Sequence, residues 1–388
     1  MTDPADSATR RRFLATATMT GIAASLPTFT PRLFAGEGDR KETIGYALVG
    51  LGRLSTNQLA PGLQKTKHAK LVAVVTGTPA KEKVWADKYG IPASHIYNYE
   101  TFDKIAENDD VDVIYIVLPN GMHHDYVLRA AKAGKHVLCE KPMANSSQEC
   151  REMIAACQQA GRKLAIGYRC QFEPHHLECM RIASKGVLGK VRQVDAGFTM
   201  RIEDFAKDDP KHWRLEKKLA GGGALMDIGI YALNACRYLI GEEPISITAQ
   251  EVKTNPEKFA EVDETVVWSM TFPGGATATC STSYDYNGVN KFVVYAERGQ
   301  FGTEPAYSYG GNAAFANGNL IEKPQIDQFA AEMDDFALCI KEDRQTRVPG
   351  EEGLKDLLAV EAIYESVRTG KAVRPASIDE QSGQGSVE

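Results

Sequence analysis

Three side chains have types and spacings that could do chemistry: Lys141, Asp227 and Tyr231. Lys141 sits in Cys139-Glu140-Lys141-Pro142-Met143, just after an apolar run, His136 to Cys139, that reads as the end of a buried strand. A lysine at the carboxyl edge of a parallel sheet points into the crevice where such sheets bind ligands. The proline after it fixes the turn and keeps the lysine backbone extended. An ammonium held there can lower a neighbour's pKa or hold a substrate hydroxyl. Alone, the pattern is that of a surface lysine in a turn; its company gives it weight. Asp227 and Tyr231 fall in Gly221-Gly222-Gly223-Ala224-Leu225-Met226-Asp227-Ile228-Gly229-Ile230-Tyr231. Four apart, they share one face of a helix. That pairs a carboxylate with a phenol able to donate or accept a proton. The three glycines would let the chain approach a ligand closely. The same spacing also suits an aspartate that caps a helix and a tyrosine that packs in a core.

A scaffold that positions these groups is visible upstream. Ile44 to Val49 is a short apolar strand running into Gly50-Leu51-Gly52-Arg53-Leu54-Ser55, a G-x-G-x-x-S turn that opens a helix. Its glycines would let the backbone approach a pyrophosphate at the helix N-terminus. Strand–turn–helix is the context that gives this dinucleotide fingerprint its meaning. The second strand, Leu71 to Val75, ends in Thr76-Gly77-Thr78-Pro79-Ala80-Lys81 rather than in an acid. Hydroxyls, backbone amides and a lysine suit a ribose 2′-phosphate, so the cofactor expected is NADP; Lys81 is otherwise a solvated residue in a helix's first turn. Alternation continues through a helix at Thr101 to Glu107, a strand at Val113 to Leu118 closed by Pro119-Asn120, and a helix at Gly121 to Ala133. Then come the strand delivering Lys141, a helix at Ser146 to Ala160 and a strand at Lys163 to Tyr168. Strands alternating with helices predict an α/β Rossmann domain with a parallel, doubly wound sheet over 41–168.

From Arg169 the pattern changes. A helix at Pro174 to Lys185 is followed by strands at Val191 to Arg201, Ile245 to Val252, Thr265 to Phe272, Ala276 to Tyr284 and Lys291 to Ala296. Amphipathic helices follow at Ile326 to Lys341 and Glu352 to Arg368. Successive strands with hairpin signals predict an α+β domain over 169–375 with a large, mostly antiparallel open sheet. Helices must cover one face; the other is free to join copies of the chain into a homodimer or homotetramer. The polar tail, 376–388, reads as mobile.

Composition narrows the class. Of 388 residues 43% are apolar and 25% charged, ordinary for a globular chain with two domains. A net charge of −6 gives no reason to expect nucleic acid or an acidic membrane as partner. The eight cysteines form no C-x-x-C pair, and His123-His124 and His175-His176 lack metal-ligand spacing, so neither disulfides nor a metal are expected. Residues 1–40 read as an export signal and linker: Arg10-Arg11-Arg12-Phe13-Leu14 precedes an apolar stretch, Ala15 to Leu26, too short to span a bilayer. The arginines followed by Phe-Leu resemble a twin-arginine signal. They predict delivery by the twin-arginine export machinery to the periplasm, without stable membrane association.

Together, G-L-G-R, L-P-N, C-E-K-P-M, G-Y-R-C, W-R-L, G-G-G-A-L-M-D-I-G-I-Y and G-E-E-P resemble the glucose-fructose oxidoreductase family, within the Gfo/Idh/MocA group that includes inositol dehydrogenases. The match runs from Ile44 to Pro375. Tyr231 stands where the wider group commonly has His, as in the exported, NADP-containing branch. The resemblance implies a tightly held NADP contacted by Gly50, Gly52, Arg53, Leu54, Thr76, Lys81, Pro119, Asn120, Glu140, Lys141 and Arg169, with Trp213 and Arg214 beside them. It implies Lys141, Asp227 and Tyr231 around the reacting carbon of a sugar. On this reading Tyr231 takes the anomeric proton of an aldose, Lys141 lowers the phenol's pKa, Asp227 orients the sugar, and a second sugar is reduced to an alditol. A simple NAD(P)-dependent sugar or polyol dehydrogenase and a non-catalytic exported sugar-binding protein are the competing readings.

Overall fold

The computed structural model describes residues 41–206 and 212–379; the twin-arginine stretch and the end of the polar tail lie outside the described residues. The first sheet is built from β1 (Ile44–Val49), β2 (Ala69–Val75), β3 (Ile96–Tyr97), β4 (Val113–Ile116), β5 (His136–Glu140) and β6 (Leu164–Gly167). All its pairings are parallel, in the order β3-β2-β1-β4-β5-β6. The order reverses between β1 and β4, and the crevice opens beyond their carboxyl ends. Every residue of β1 and β4 is buried, as expected for strands with helices on both faces. The two-residue β3 leaves no readable pattern in the sequence. The segment after Thr101 is a 3₁₀ helix, Phe102–Glu107, rather than an α-helix.

The second sheet contains β7 (Val191–Thr199), β8 (Ser246–Val252), β9 (Thr265–Thr271), β10 (Thr277–Ser283), β11 (Asn290–Ala296), β12 (Gly299–Thr303), β13 (Ala314–Ala316) and β14 (Asn319–Ile321). Its order is β14-β13-β12-β11-β7-β10-β9-β8, antiparallel throughout except where β10 runs parallel to β7. Burial alternates along β9: Val266, Trp268 and Met270 point inward, Val267, Ser269 and Thr271 outward. The helices Ile230–Ile240 and Gly350–Thr369 pack against this sheet. The chain then returns to the first sheet. The helix Gln328–Lys341 lies against β2, and the Tyr46 hydroxyl on β1 donates to the Met333 carbonyl at 2.9 Å. The C-terminal part of the chain therefore helps to build the wall of the first domain's crevice.

Candidate functional site

The fingerprint turn is explained residue by residue. Gly50 has φ +91°, and a Cβ there would run into the Val117 carbonyl at the end of β4. Gly52 has nothing within 4 Å of a built Cβ, so its backbone faces open space. Ser55, where a third glycine would stand, is fully buried and donates its hydroxyl to the Gly50 carbonyl at 2.6 Å, closing the turn. The helix begins with a π-helical turn, Ser55–Leu59. Lys81 folds back so that its Nζ donates to the Leu51 carbonyl at 2.8 Å, and the Thr76 hydroxyl accepts from the Thr78 N–H at 3.1 Å. A glycine cradle with one open face, amide donors and a lysine beside it fits a dinucleotide pyrophosphate and ribose.

The Lys141 loop is fixed from beneath. The ring nitrogens of the buried His123 lie 2.9 Å from both the Leu118 and the Pro142 carbonyls, tying the end of β4 to the turn that carries Lys141. The adjoining histidines also have structural roles: His176 sits 2.7 Å from the Ala306 carbonyl, and His175 lies 2.6 Å from Glu173. Among the described residues no cluster of His, Cys, Asp and Glu is arranged to hold a metal ion.

Asp227 lies in a second π-helical turn, Leu225–Gly229, which passes directly into the helix carrying Tyr231. π-Bulges inside helices are frequent at functional sites. The Asp263 carboxylate fixes this helix start, accepting from the N–H of Gly223 at 2.6 Å and of Leu225 at 2.7 Å. The three glycines do not serve a ligand, contrary to expectation. Gly221 ends a short helix with φ +73°, a Cβ at Gly222 would strike the Tyr364 hydroxyl, and one at Gly223 would strike the Asp263 backbone. The close approach they permit is protein against protein.

Every residue expected at the site lines one cavity of about 670 Å³: Gly50, Gly52, Arg53, Leu54, Thr76 and Lys81, then Pro119, Asn120, Glu140, Lys141 and Arg169, and also Trp213, Arg214, Asp227 and Tyr231. The pairing of charges departs from expectation. Lys141 Nζ donates to the Asp227 backbone carbonyl at 2.6 Å and lies 3.4 Å from its Oδ1. Arg214 Nε donates to Asp227 Oδ2 at 2.7 Å, and the Tyr284 hydroxyl donates to the same oxygen at 2.8 Å. Burial alone would raise the Asp227 carboxyl, but Arg214 and then Lys141 outweigh it and hold it well below the usual carboxylate range. Asp227 thereby positions two cations, Lys141 and Arg214, at the cavity wall.

Tyr231 is held by Phe198 (centroids 5.7 Å) and Tyr307 (5.6 Å). Lys141 Nζ stands 4.7 Å over its ring and the Arg169 guanidinium 5.0 Å. Burial pushes the phenol up, and the cation that chiefly pulls it back is Arg169. This corrects the role given to Lys141: its ammonium is committed to Asp227 and lies over the ring face, so it is not the main group lowering the phenol. Arg169 is locked by donating to Gln328 Oε1 at 2.6 Å and the Tyr307 carbonyl at 2.7 Å. The sequence reading missed Tyr99, Phe198, Tyr307, Tyr309 and Phe329, which also line the cavity. Tyr307 and Tyr309 lie in a loop with no periodicity, and the two-residue repeat of β7 made Phe198 look like core. Tyr284, which donates to Asp227, directly follows β10 as Lys141 follows β5, and that position was a signal in the sequence.

Known proteins match along most of the chain. Residues 44–168 match the oxidoreductase family with NAD-binding Rossmann fold, and residues 176–302 match the GFO/IDH/MocA C-terminal domain. The chain is 32% identical to the NADP⁺ D-xylose 1-dehydrogenase of Haloarcula marismortui, over 85% of this chain and 93% of that protein. It is 29% identical to a D-xylose 1-dehydrogenase (NADP⁺) of Haloferax volcanii, over 84% and 98%. The crystal structure of an aldose-aldose oxidoreductase from Caulobacter crescentus superposes with a TM-score of 0.82 at 44% identity, covering 86% of this chain and 99% of that one.

Proposed function

The chain belongs to the GFO/IDH/MocA oxidoreductase family, and from that premise we propose that it is a periplasmic sugar oxidoreductase with tightly bound NADP. It oxidises an aldose to its lactone and reduces a second sugar to an alditol. One observation carries this reading: a glycine cradle open at Gly52 and the Lys141–Asp227–Tyr231 group line the same cavity. The likeness to an aldose-aldose oxidoreductase and to two NADP⁺ xylose dehydrogenases supports sugars as substrates and NADP as cofactor. Gly50, Gly52, Arg53, Leu54, Thr76 and Lys81 would hold its phosphates and adenosine end, and Pro119, Asn120, Glu140 and Arg169 the nicotinamide end. A nicotinamide bound there would supply the hydride chemistry.

The chain supplies alignment and proton handling. Tyr231 exchanges the proton of the anomeric oxygen. Asp227 fixes Lys141 and Arg214, leaving the ammonium's remaining donors for sugar hydroxyls. Phe198, Tyr307 and Trp213 give apolar faces for the sugar ring and exclude water. The run of arginines in the leader, Arg10 to Arg12, supports export of the folded, loaded protein, and the outward face of the second sheet is the surface proposed to join copies.

A D-xylose dehydrogenase that releases NADPH each turnover is the second reading, favoured by the names of the two archaeal relatives. Steady-state kinetics without added nucleotide separate the two. Retained cofactor gives parallel double-reciprocal lines when one sugar is varied at several levels of the other, and an aldose alone reduces the bound nucleotide once. Intersecting lines, or a strict requirement for added NADP, overturn the retained-cofactor reading.

A further inference from the structure

Glu140 ends β5 inside the cleft, and Glu332 faces it from the helix Gln328–Lys341. They are 7% and 1% exposed. Tyr115, on β4, stands between them. Its hydroxyl oxygen is 2.8 Å from Glu140 Oε1 and 3.3 Å from Glu332 Oε2. A phenol has one proton to donate. When it donates to one carboxylate, the other contact is a hydrogen bond only if that carboxyl carries a proton and donates to the phenol oxygen. The second oxygen of Glu332, Oε1, makes no hydrogen bond. A doubly ionised pair would therefore leave one buried charge short of a donor beside a like charge. Arg169 and Lys141 are the cations facing Glu140; Glu332 faces Arg169 but also Asp335 on its own helix. Burial pushes both carboxyls up. Donor count and burial agree on a pair that holds one proton at rest, with Glu332 neutral and Glu140 charged.

Tyr231 poses the complementary problem. Its half-buried phenol, pushed up by loss of solvent, keeps its own proton at neutral pH, so it can accept the substrate's proton only by passing its own onward. Glu140 lines the same cavity. We propose that Glu140, Glu332 and Tyr115 form an internal proton store, filled when an alcohol substrate is oxidised and emptied when the second sugar is reduced. This rests on the retained-cofactor reading above. In the first half the substrate's C–H bond breaks and the hydride goes to the nicotinamide. The substrate O–H proton goes to the Tyr231 oxygen, and the Tyr231 proton goes to Glu140 through a water or substrate hydroxyl. The substrate leaves with a carbonyl. The nicotinamide has lost one positive charge and Glu140 one negative charge, so the buried site keeps its net charge. The second half runs each transfer backwards. Constant charge matters because burying an extra unpaired charge in a low dielectric is costly. Glu140 acts as the acceptor, and Glu332 and Tyr115 are positioning residues that set its proton affinity.

Single-turnover reduction by aldose, in unbuffered solution with a pH-indicator dye, tests the store. The holoenzyme should show the reduced-nicotinamide absorbance with no matching proton release. One proton released per hydride in the parent protein overturns the proposal. Glu140→Gln, which cannot take the proton, should release one proton per hydride; a variant that still releases none places the store elsewhere and also overturns it. Infrared spectra of the resting protein give a second arm that needs no sugar: a protonated-carboxyl band should vanish in Glu332→Gln. The buried Asp356 carboxyl, pushed up to about 7, contributes its own band, so the comparison is between parent and variant. No loss of band in Glu332→Gln overturns the resting state described here. Absence of any absorbance change with aldose would count against the retained-cofactor reading, while the infrared arm still decides the pair.

Discussion

Asp227→Asn is the change on which the site's electrostatics can be judged most directly. It keeps the shape of the side chain and an oxygen for the Tyr284 hydroxyl and Arg214, removes the charge, and turns the oxygen that faces Lys141 into an NH2 donor. At an effective dielectric constant of about 20, attraction is about 6 kcal/mol across the 2.7 Å to Arg214 and about 5 kcal/mol across the 3.4 Å to Lys141. Stripping water from three ions consumes most of that. Removing one partner of a buried pair costs about 3–5 kcal/mol net, and the 22% side-chain exposure of Arg214 puts this case near the lower end, about 3 kcal/mol. Chemical denaturation should show that loss. If all of it falls on the transition state, kcat/KM drops by about 10²-fold. The pH dependence follows from the direction of the shift. The folded carboxyl titrates below its unfolded value of about 4, so its contribution is complete above that pH and is lost only as pH falls through the lower folded value. The gap between parent and variant should be equal at about pH 7 and about pH 5 and narrow only in stronger acid. A stability loss under about 1 kcal/mol, typical of an exposed pair, or a gap already closing near pH 6 refutes the assignment.

Three further changes probe the other parts of the cavity. Tyr231→Phe should retain the nucleotide, released and identified after denaturation, while turnover falls by about 10²–10⁴-fold; activity within a factor of about two would remove Tyr231 from proton transfer. Gly52→Ala should leave the melting temperature of nucleotide-free protein nearly unchanged, because a Cβ there meets nothing within 4 Å, yet weaken nucleotide retention; a folded variant that copurifies with as much nucleotide as the parent contradicts the cradle. Thr76→Asp should weaken NADP relative to NAD by repulsion of the 2′-phosphate, measured as a change in the ratio of dissociation constants, and an unchanged ratio would place specificity elsewhere.

Much of the fold was readable because its signals are local. β1, β4 and β5 are apolar runs bounded by glycine or proline, and burial on both faces makes such runs continuous. What stayed hidden was short or irregular. β3 has two residues, β13 and β14 three each, and the π-helical turns at Ser55–Leu59 and Leu225–Gly229 keep an ordinary helical pattern of side chains. Nor could sequence show that the helix Gln328–Lys341 returns to the first sheet, since its apolar face would fit either domain.

The site divides in the same way, and the division explains which roles changed. Motifs located Lys141 and the Gly50 turn, because both sit at strand ends whose exits into a crevice follow from parallel topology. They could not state the partners. Lys141 meets Asp227, 86 residues away, and Arg169 reaches Tyr231 and Gln328 across loops whose path no spacing encodes. Partnership then decides chemistry. An ammonium free of Asp227 would bear directly on the phenol; tied to it, it becomes a fixed donor over the ring, and burial of the phenol goes largely uncompensated. A tyrosine that keeps its proton cannot act as a base alone. The arrangement therefore requires a second acceptor within reach, and Glu140 is the carboxylate in the cavity whose oxygens are not both committed to cations. Its neighbour Glu332 lies 192 residues on, in the helix that returned to the first sheet, so the group that completes proton handling depends on the part of the fold least legible in the sequence.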